Sequence, residues 1–94
     1  MRIDLYLKKS RLIKQRENAK KACDRGQIHI DDNPVKPSRE VHVGDEITLD
    51  LVNQRLKIEV LEVPSGNVSK ARSREIYRLI SSESIDEDDD FFEL

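Results

Sequence analysis

QRENAKKACDRGQIHI, residues 15–30, changes its period halfway along, and that change decides the fold. Over 15–25 the apolar residues Ala19, Ala22 and Cys23 recur at i, i+3, i+4, which is the spacing of one helix face. Arg16, Lys20, Lys21 and Arg25 fall on the opposite side. Small apolar residues permit close packing, and the basic side stays in water. Gly26 stops the helix as a C-cap. From there the period is two: Ile28 and Ile30 alternate with Gln27 and His29, as in a half-buried strand.

Working outward, residues 2–9 predict a shorter helix, with Ile3, Tyr6 and Leu7 on one face and Asp4 in the first turn, where the helix dipole favours a negative charge. On the other side, Asp31-Asp32-Asn33-Pro34 marks a turn. Val41, Val43 and Gly44-Asp45 lead into a strand over 47–51, and Asn53-Gln54 reads as a hairpin turn. The next strand runs from Leu56 to Val63, with Leu56, Ile58 and Val60 on one face, and Pro64-Ser65-Gly66-Asn67 breaks it. Residues 69–82 predict a final helix, capped by Ser69, with Ile76, Leu79 and Ile80 as its apolar stripe and Lys70, Arg74 and Arg78 as a basic one. The expectation is a small single α+β domain over 1–82, with two N-terminal helices packed on a short, mainly antiparallel sheet and a C-terminal helix. An acidic tail, 83–94, is expected to be disordered, although Phe91, Phe92 and Leu94 form an apolar cluster at its end.

Ninety-four residues make one domain with a small core. The net charge of −2 averages two unlike regions. Residues 1–25 hold nine Lys or Arg against three acids, whereas 81–94 hold seven acids and no base, so residues 1–80 alone carry +5. Such asymmetry points to a polyanionic partner. A single cysteine, Cys23, excludes an internal disulfide and fits a reduced cytoplasmic setting. Neither a signal peptide nor a membrane-spanning stretch is apparent.

No Ser/His/Asp or Cys/His constellation has a plausible context, so catalysis is not expected. His29 and His42 read as solvent-facing strand residues and Cys23 as a small core residue. The acidic run lacks the spacing of a calcium loop, so neither a metal nor any other cofactor is expected. The positive signal is the cluster Arg2, Lys8, Lys9, Arg11, Lys14, Arg16, Lys20 and Lys21, which two short helices and their linker would bring to one surface. A surface of that kind neutralises phosphates and gains free energy by counterion release.

The order of residues adds a second signal. Arg2-Ile3-Asp4-x-x-Leu7 is followed by Arg11-Leu12-Ile13-x-x-Arg16-x-x-Ala19, then Gly26-x-Ile28-x-Ile30, Val35-Lys36-Pro37-Ser38 and Val41-x-x-Gly44-Asp45-x-Ile47. This pattern, over about residues 1–50, resembles the RNA-binding domain first seen in the fourth protein of the small ribosomal subunit. The resemblance implies that Arg2, Arg11, Arg16 and Lys36 contact RNA phosphates, with Lys8, Lys9, Lys14 and Lys20 beside them. Such domains read RNA shape, which suits a duplex whose deep major groove is closed to side chains. There are two departures. Asp31-Asp32 stands where the family usually has Asn-Gly, which predicts a strained or differently built turn, since Asp adopts the left-handed conformation less readily than Gly. Gln15 stands where Ser or a base is common.

No catalytic domain follows the motif. The layout is similar to the free-standing bacterial proteins related to the heat-shock protein of fifteen kilodaltons, and the compact length is nearest to the ribosome-associated quality-control factors. That likeness implies binding to large ribosomal subunits that still hold a stalled peptidyl-tRNA, with contacts to large-subunit rRNA and tRNA, and cooperation with a protein that tails the stalled chain. A monomer away from membranes is expected. Two other readings stay open: a general structured-RNA-binding accessory in ribosome assembly or RNA modification, and a protein-interaction module whose acidic tail recruits a partner.

Overall fold

In the computed structural model, which describes residues 1–52 and 54–84, helix α1 (Ile3–Lys9) and helix α2 (Arg16–Asp24) lie against one face of an antiparallel sheet. The expected stripes are the buried ones: Ile3, Tyr6 and Leu7 on α1, and Ala19, Ala22 and Cys23 on α2. The α2 terminus is a Schellman motif. Gly26 has φ +74°, its N–H donates to the Cys23 carbonyl, and the Gln27 N–H donates to the Ala22 carbonyl. That reversal delivers the chain directly into the first strand.

The sheet has five strands: β1 (Ile28–Ile30), β2 (Asn33–Pro34), β3 (Glu46–Leu51), β4 (Gln54–Val60) and β5 (Tyr77–Ser84), in the order β2-β1-β3-β4-β5. Ile28, Ile30, Ile47, Leu49, Ile58 and Val60 face the helices and are fully or almost fully buried. The opposite face is polar, as period-two alternation requires. Asp31 and Asp32 form the two-residue β1–β2 turn with φ of 51° and 70°, so the left-handed turn is the one Asn-Gly would make, built here from two aspartates. Gln54, expected in the β3–β4 turn, is already paired with Leu51 and belongs to β4; Asn53, the other residue of the expected turn, lies outside the described residues.

The C-terminal helix over 69–82 does not form. Only one turn, α3 (Lys70–Ser73), is helical, with Ser69 capping it by accepting from the Arg72 N–H at 3.1 Å, and residues 77–84 pair with β4 along its full length. Three apolar residues spaced for a helix fit a strand almost as well over so short a run. The open edge of β4 supplies hydrogen bonds that an isolated helix would have to replace. Ser81 and Ser82 are weak helix formers, whereas Tyr77 and Ile80 suit a strand. Of the supposed stripe only Ile76 is buried; Leu79 and Ile80 are exposed, and Ile80 is the extra residue where the β4–β5 register shifts. Strand β5 runs to Ser84, two residues into the acidic segment, and the rest of the expected tail, 85–94, lies outside the described residues.

Candidate nucleic-acid interface

Asp4 organises one end of the helical face. It is fully buried in the first turn of α1; its Oδ1 accepts from the Leu5 N–H at 2.7 Å, and its Oδ2 lies 3.3 Å from Arg2 Nη2 and 3.4 Å from Arg16 Nε. A buried carboxylate needs counter-charge, and two arginine heads supply it. Both contacts are charge pairs without hydrogen-bond geometry, since Oδ2 has no hydrogen-bond partner among the described residues, and both side chains stay nearly half exposed with their other guanidinium donors open to solvent. The charge in the first turn is therefore more than a dipole effect. The sequence signal was available: three residues before Leu7, Asp4 borders the apolar stripe, where an acid is out of place.

The loop after β2 closes over the same end. The Ile3 N–H donates to the Arg39 carbonyl at 2.8 Å and the Asp4 N–H to the Pro37 carbonyl at 3.3 Å, which satisfies two amides that the start of α1 leaves open. Lys36, as expected, is an exposed base in this loop, and Arg39, which the sequence reading passed over, is another. Lys20 is exposed on the outer side of α2.

At the other end of α1 the chain forms a cleft of 740 Å³. Lys8, Lys9, Arg11 and Lys14 line one side, Lys70 and Arg74 the other, and no carboxylate is among the lining residues. Lys70 and Arg74 were expected on one helix stripe with Arg78; the structure separates them from it. Two contacts hold the walls together. The Tyr6 phenol donates to the Ile76 carbonyl at 2.8 Å, and Lys9 Nζ donates to the Gly66 carbonyl. The Tyr6 hydroxyl is pushed to a high pKa, chiefly by burial, and acts only as a hydrogen-bond donor here.

Ion pairing divides the molecule. Arg55 pairs with Asp50, Lys57 with Glu46, Arg72 with Glu62 and Glu75, and Arg78 with Glu59. A second hollow, of 450 Å³, opens on this outer sheet face, and its charges are mixed. Apart from Arg2 and Arg16, which share Asp4, no base of α1, α2, their linker or the 36–39 loop forms an ion pair among the described residues.

Other chemistry finds little support among the described residues. Burial pushes the Cys23 thiol up to about 11, with Asp4 and Asp24 adding to the effect, so it stays protonated at neutral pH and is a poor nucleophile. No group of three potential metal ligands occurs, and no helix is long and apolar enough to cross a membrane.

Comparison with known proteins gives this geometry a context. Residues 1–47 match the S4 domain. A protein of Bacillus subtilis (strain 168) named RQC P-site tRNA stabilizing factor is 36% identical over 87 residues, which is 93% of this chain and 100% of that one. This chain belongs to the S4-domain family of RQC P-site tRNA stabilizing factors. The Listeria monocytogenes serovar 1/2a factor is 39% identical over 89 residues, covering 93% of this chain and 94% of its own. Among solved structures, Vibrio cholerae heat shock protein 15, described as trimeric, superposes with a TM-score of 0.80 at 25% identity, covering 86% of this chain and 82% of that one. The S4 match ends within β3, so Lys70 and Arg74 lie beyond it, within a C-terminal part that this family adds to the S4 domain.

Proposed function

We propose that this protein binds a large ribosomal subunit carrying stalled peptidyl-tRNA and stabilises the tRNA during ribosome-associated quality control. The observation that carries this reading is the helical face: exposed bases that form no ion pair among the described residues, beside two arginines paired with a buried aspartate. Arg2, Lys8, Lys9, Arg11, Lys14, Arg16, Lys20 and Lys36 contact RNA phosphates, with Arg39 added to the set. Such contacts fix position and orientation rather than read sequence, which suits a factor that must recognise one large, invariant RNA surface. The partners are large-subunit rRNA and tRNA, together with a protein that extends the stalled chain. The names of its relatives support this assignment.

In this reading the protein performs no bond chemistry; it works in the cytoplasm as a monomer and lowers the free energy of one tRNA position. Sedimentation of tagged protein through a sucrose gradient of cell lysate, with sequencing of the RNA it retains, tests the proposal. Recovery on free large subunits together with tRNA is expected. Recovery on other RNAs, away from large subunits, would move the assignment to a general structured-RNA accessory; recovery without RNA would favour a protein-interaction module.

A further inference from the structure

We infer that the cleft between the α1–α2 linker and α3 is a separate site for an unpaired RNA strand, with a base stacked on Tyr77. This deepens the RNA-binding reading above and rests on it. The S4 surface at the Asp4 end is open and suits a duplex, which offers its phosphates on a broad convex surface. The cleft is concave, holds 740 Å³ and carries cations on both walls: Arg11 and Lys14 from the linker, Lys70 and Arg74 from α3 and the residue that follows it. A concave cationic groove that can follow one backbone is the arrangement that binds single strands. Walls of like charge, with no carboxylate among the described residues between them, repel one another unless an anion lies there.

Tyr77 adds what phosphate binding alone does not require. It is the one aromatic residue lining the cleft and is half-buried at the start of β5, held by pairing with Val60. An aromatic face beside a cationic groove is the combination that binds unpaired bases, since every base has a π-face to stack. The backbone that carries the ring is also anchored. The neighbouring Ile76 carbonyl accepts from the Tyr6 hydroxyl and from the Leu61 and Glu62 N–H groups, so the platform is rigid before any ligand arrives. None of Lys70, Arg74 and Tyr77 lies in the S4-matched segment, so the C-terminal addition has a role in this account: it converts a duplex-binding surface into a duplex-plus-strand reader.

The test uses the full chain and two fluorescent RNAs, a blunt hairpin and the same hairpin extended at its 3′ end by about six uridines, a length within the range one small domain covers. The extension should tighten binding about five- to tenfold, the gain expected of one stacked base and a few phosphates. Lys70→Ala with Arg74→Ala, and separately Tyr77→Leu, should abolish that gain and leave affinity for the blunt hairpin unchanged, while Tyr77→Phe should keep it. The lysine–arginine variant alters only exposed side chains, so it carries the test should Tyr77→Leu fail to fold. No gain from the extension, or equal weakening of both probes by the double variant, would overturn the strand site. Binding of neither probe by the unaltered chain would overturn the RNA reading itself, and the strand site with it.

Discussion

The helical face and the outer face of the sheet both carry arginine and lysine, yet only on the first do most of them form no ion pair among the described residues. On the sheet, Asp50 stands directly opposite Arg55 and Glu59 directly opposite Arg78, while Glu46 reaches Lys57 on the diagonal. Pairs at such exposed cross-strand positions contribute little stability and leave little net field. On the helices, Glu17 and Asp24 form no ion pair among the described residues, and Asp4 is spent on two arginines at once. A basic residue counts toward a polyanion site only when no carboxylate has been placed beside it, and register decides that as much as composition does.

The sharpest way to break this comparison is to remove two charges from each face. Arg2→Ala with Arg16→Ala should weaken binding of a structured RNA by on the order of a hundredfold, as loss of two charge-assisted phosphate contacts requires. Arg55→Ala with Arg78→Ala should change it by less than about twofold, since those charges are already neutralised. Fluorescence anisotropy at fixed salt reads both, and similar losses from the two variants would erase the distinction.

A smaller effect is expected from Asp4→Asn. It makes the protein more positive, yet it should bind RNA several-fold more weakly, because Arg2 and Arg16 lose the group that aims them. Stability to urea should fall by about 1–3 kcal/mol as a buried charged contact is lost. Tighter binding would mean that Asp4 merely dilutes the field.

The least effect concerns the buried side of α2, which sets the outer side's orientation. The Cys23 thiol ionises at about 11 in the folded chain against 9.0 in the ordinary case. Folding stability should therefore be independent of this group below pH 9 and decline as pH rises from 9 toward 11, where the unfolded thiol ionises and the folded one does not. Urea titrations of the Cys23→Ala variant should lack that component. An equal alkaline decline in both proteins would mean that Cys23 is not held against the core.

Much of this was legible in the sequence. Ala19, Ala22 and Cys23 placed α2 and its basic outer side, Gly26 its end, and Ile28 and Ile30 the change to a strand. Strand β5 was not legible, since Ile76, Leu79 and Ile80 satisfy a helical spacing and only the unfilled edge of β4 decides against it. The cleft was invisible for a related reason. Its walls are distant in the chain and meet through two hydrogen bonds, from Tyr6 to the Ile76 carbonyl and from Lys9 to the Gly66 carbonyl, that no local pattern announces. Arg2 and Arg16 were found by motif, but the carboxylate that orients them was read only as a charge at a helix start.

The salt dependence of RNA affinity tests the central claim most directly, measured for the unaltered chain and for the two double-arginine variants. The account predicts a steep line of log affinity against log salt. Its slope should drop by roughly 0.7–0.9 for each phosphate-contacting arginine removed from the helical face and stay unchanged for the sheet-face variant. A shallow line in the unaltered chain, or an equal drop in slope from Arg55→Ala with Arg78→Ala, would contradict it.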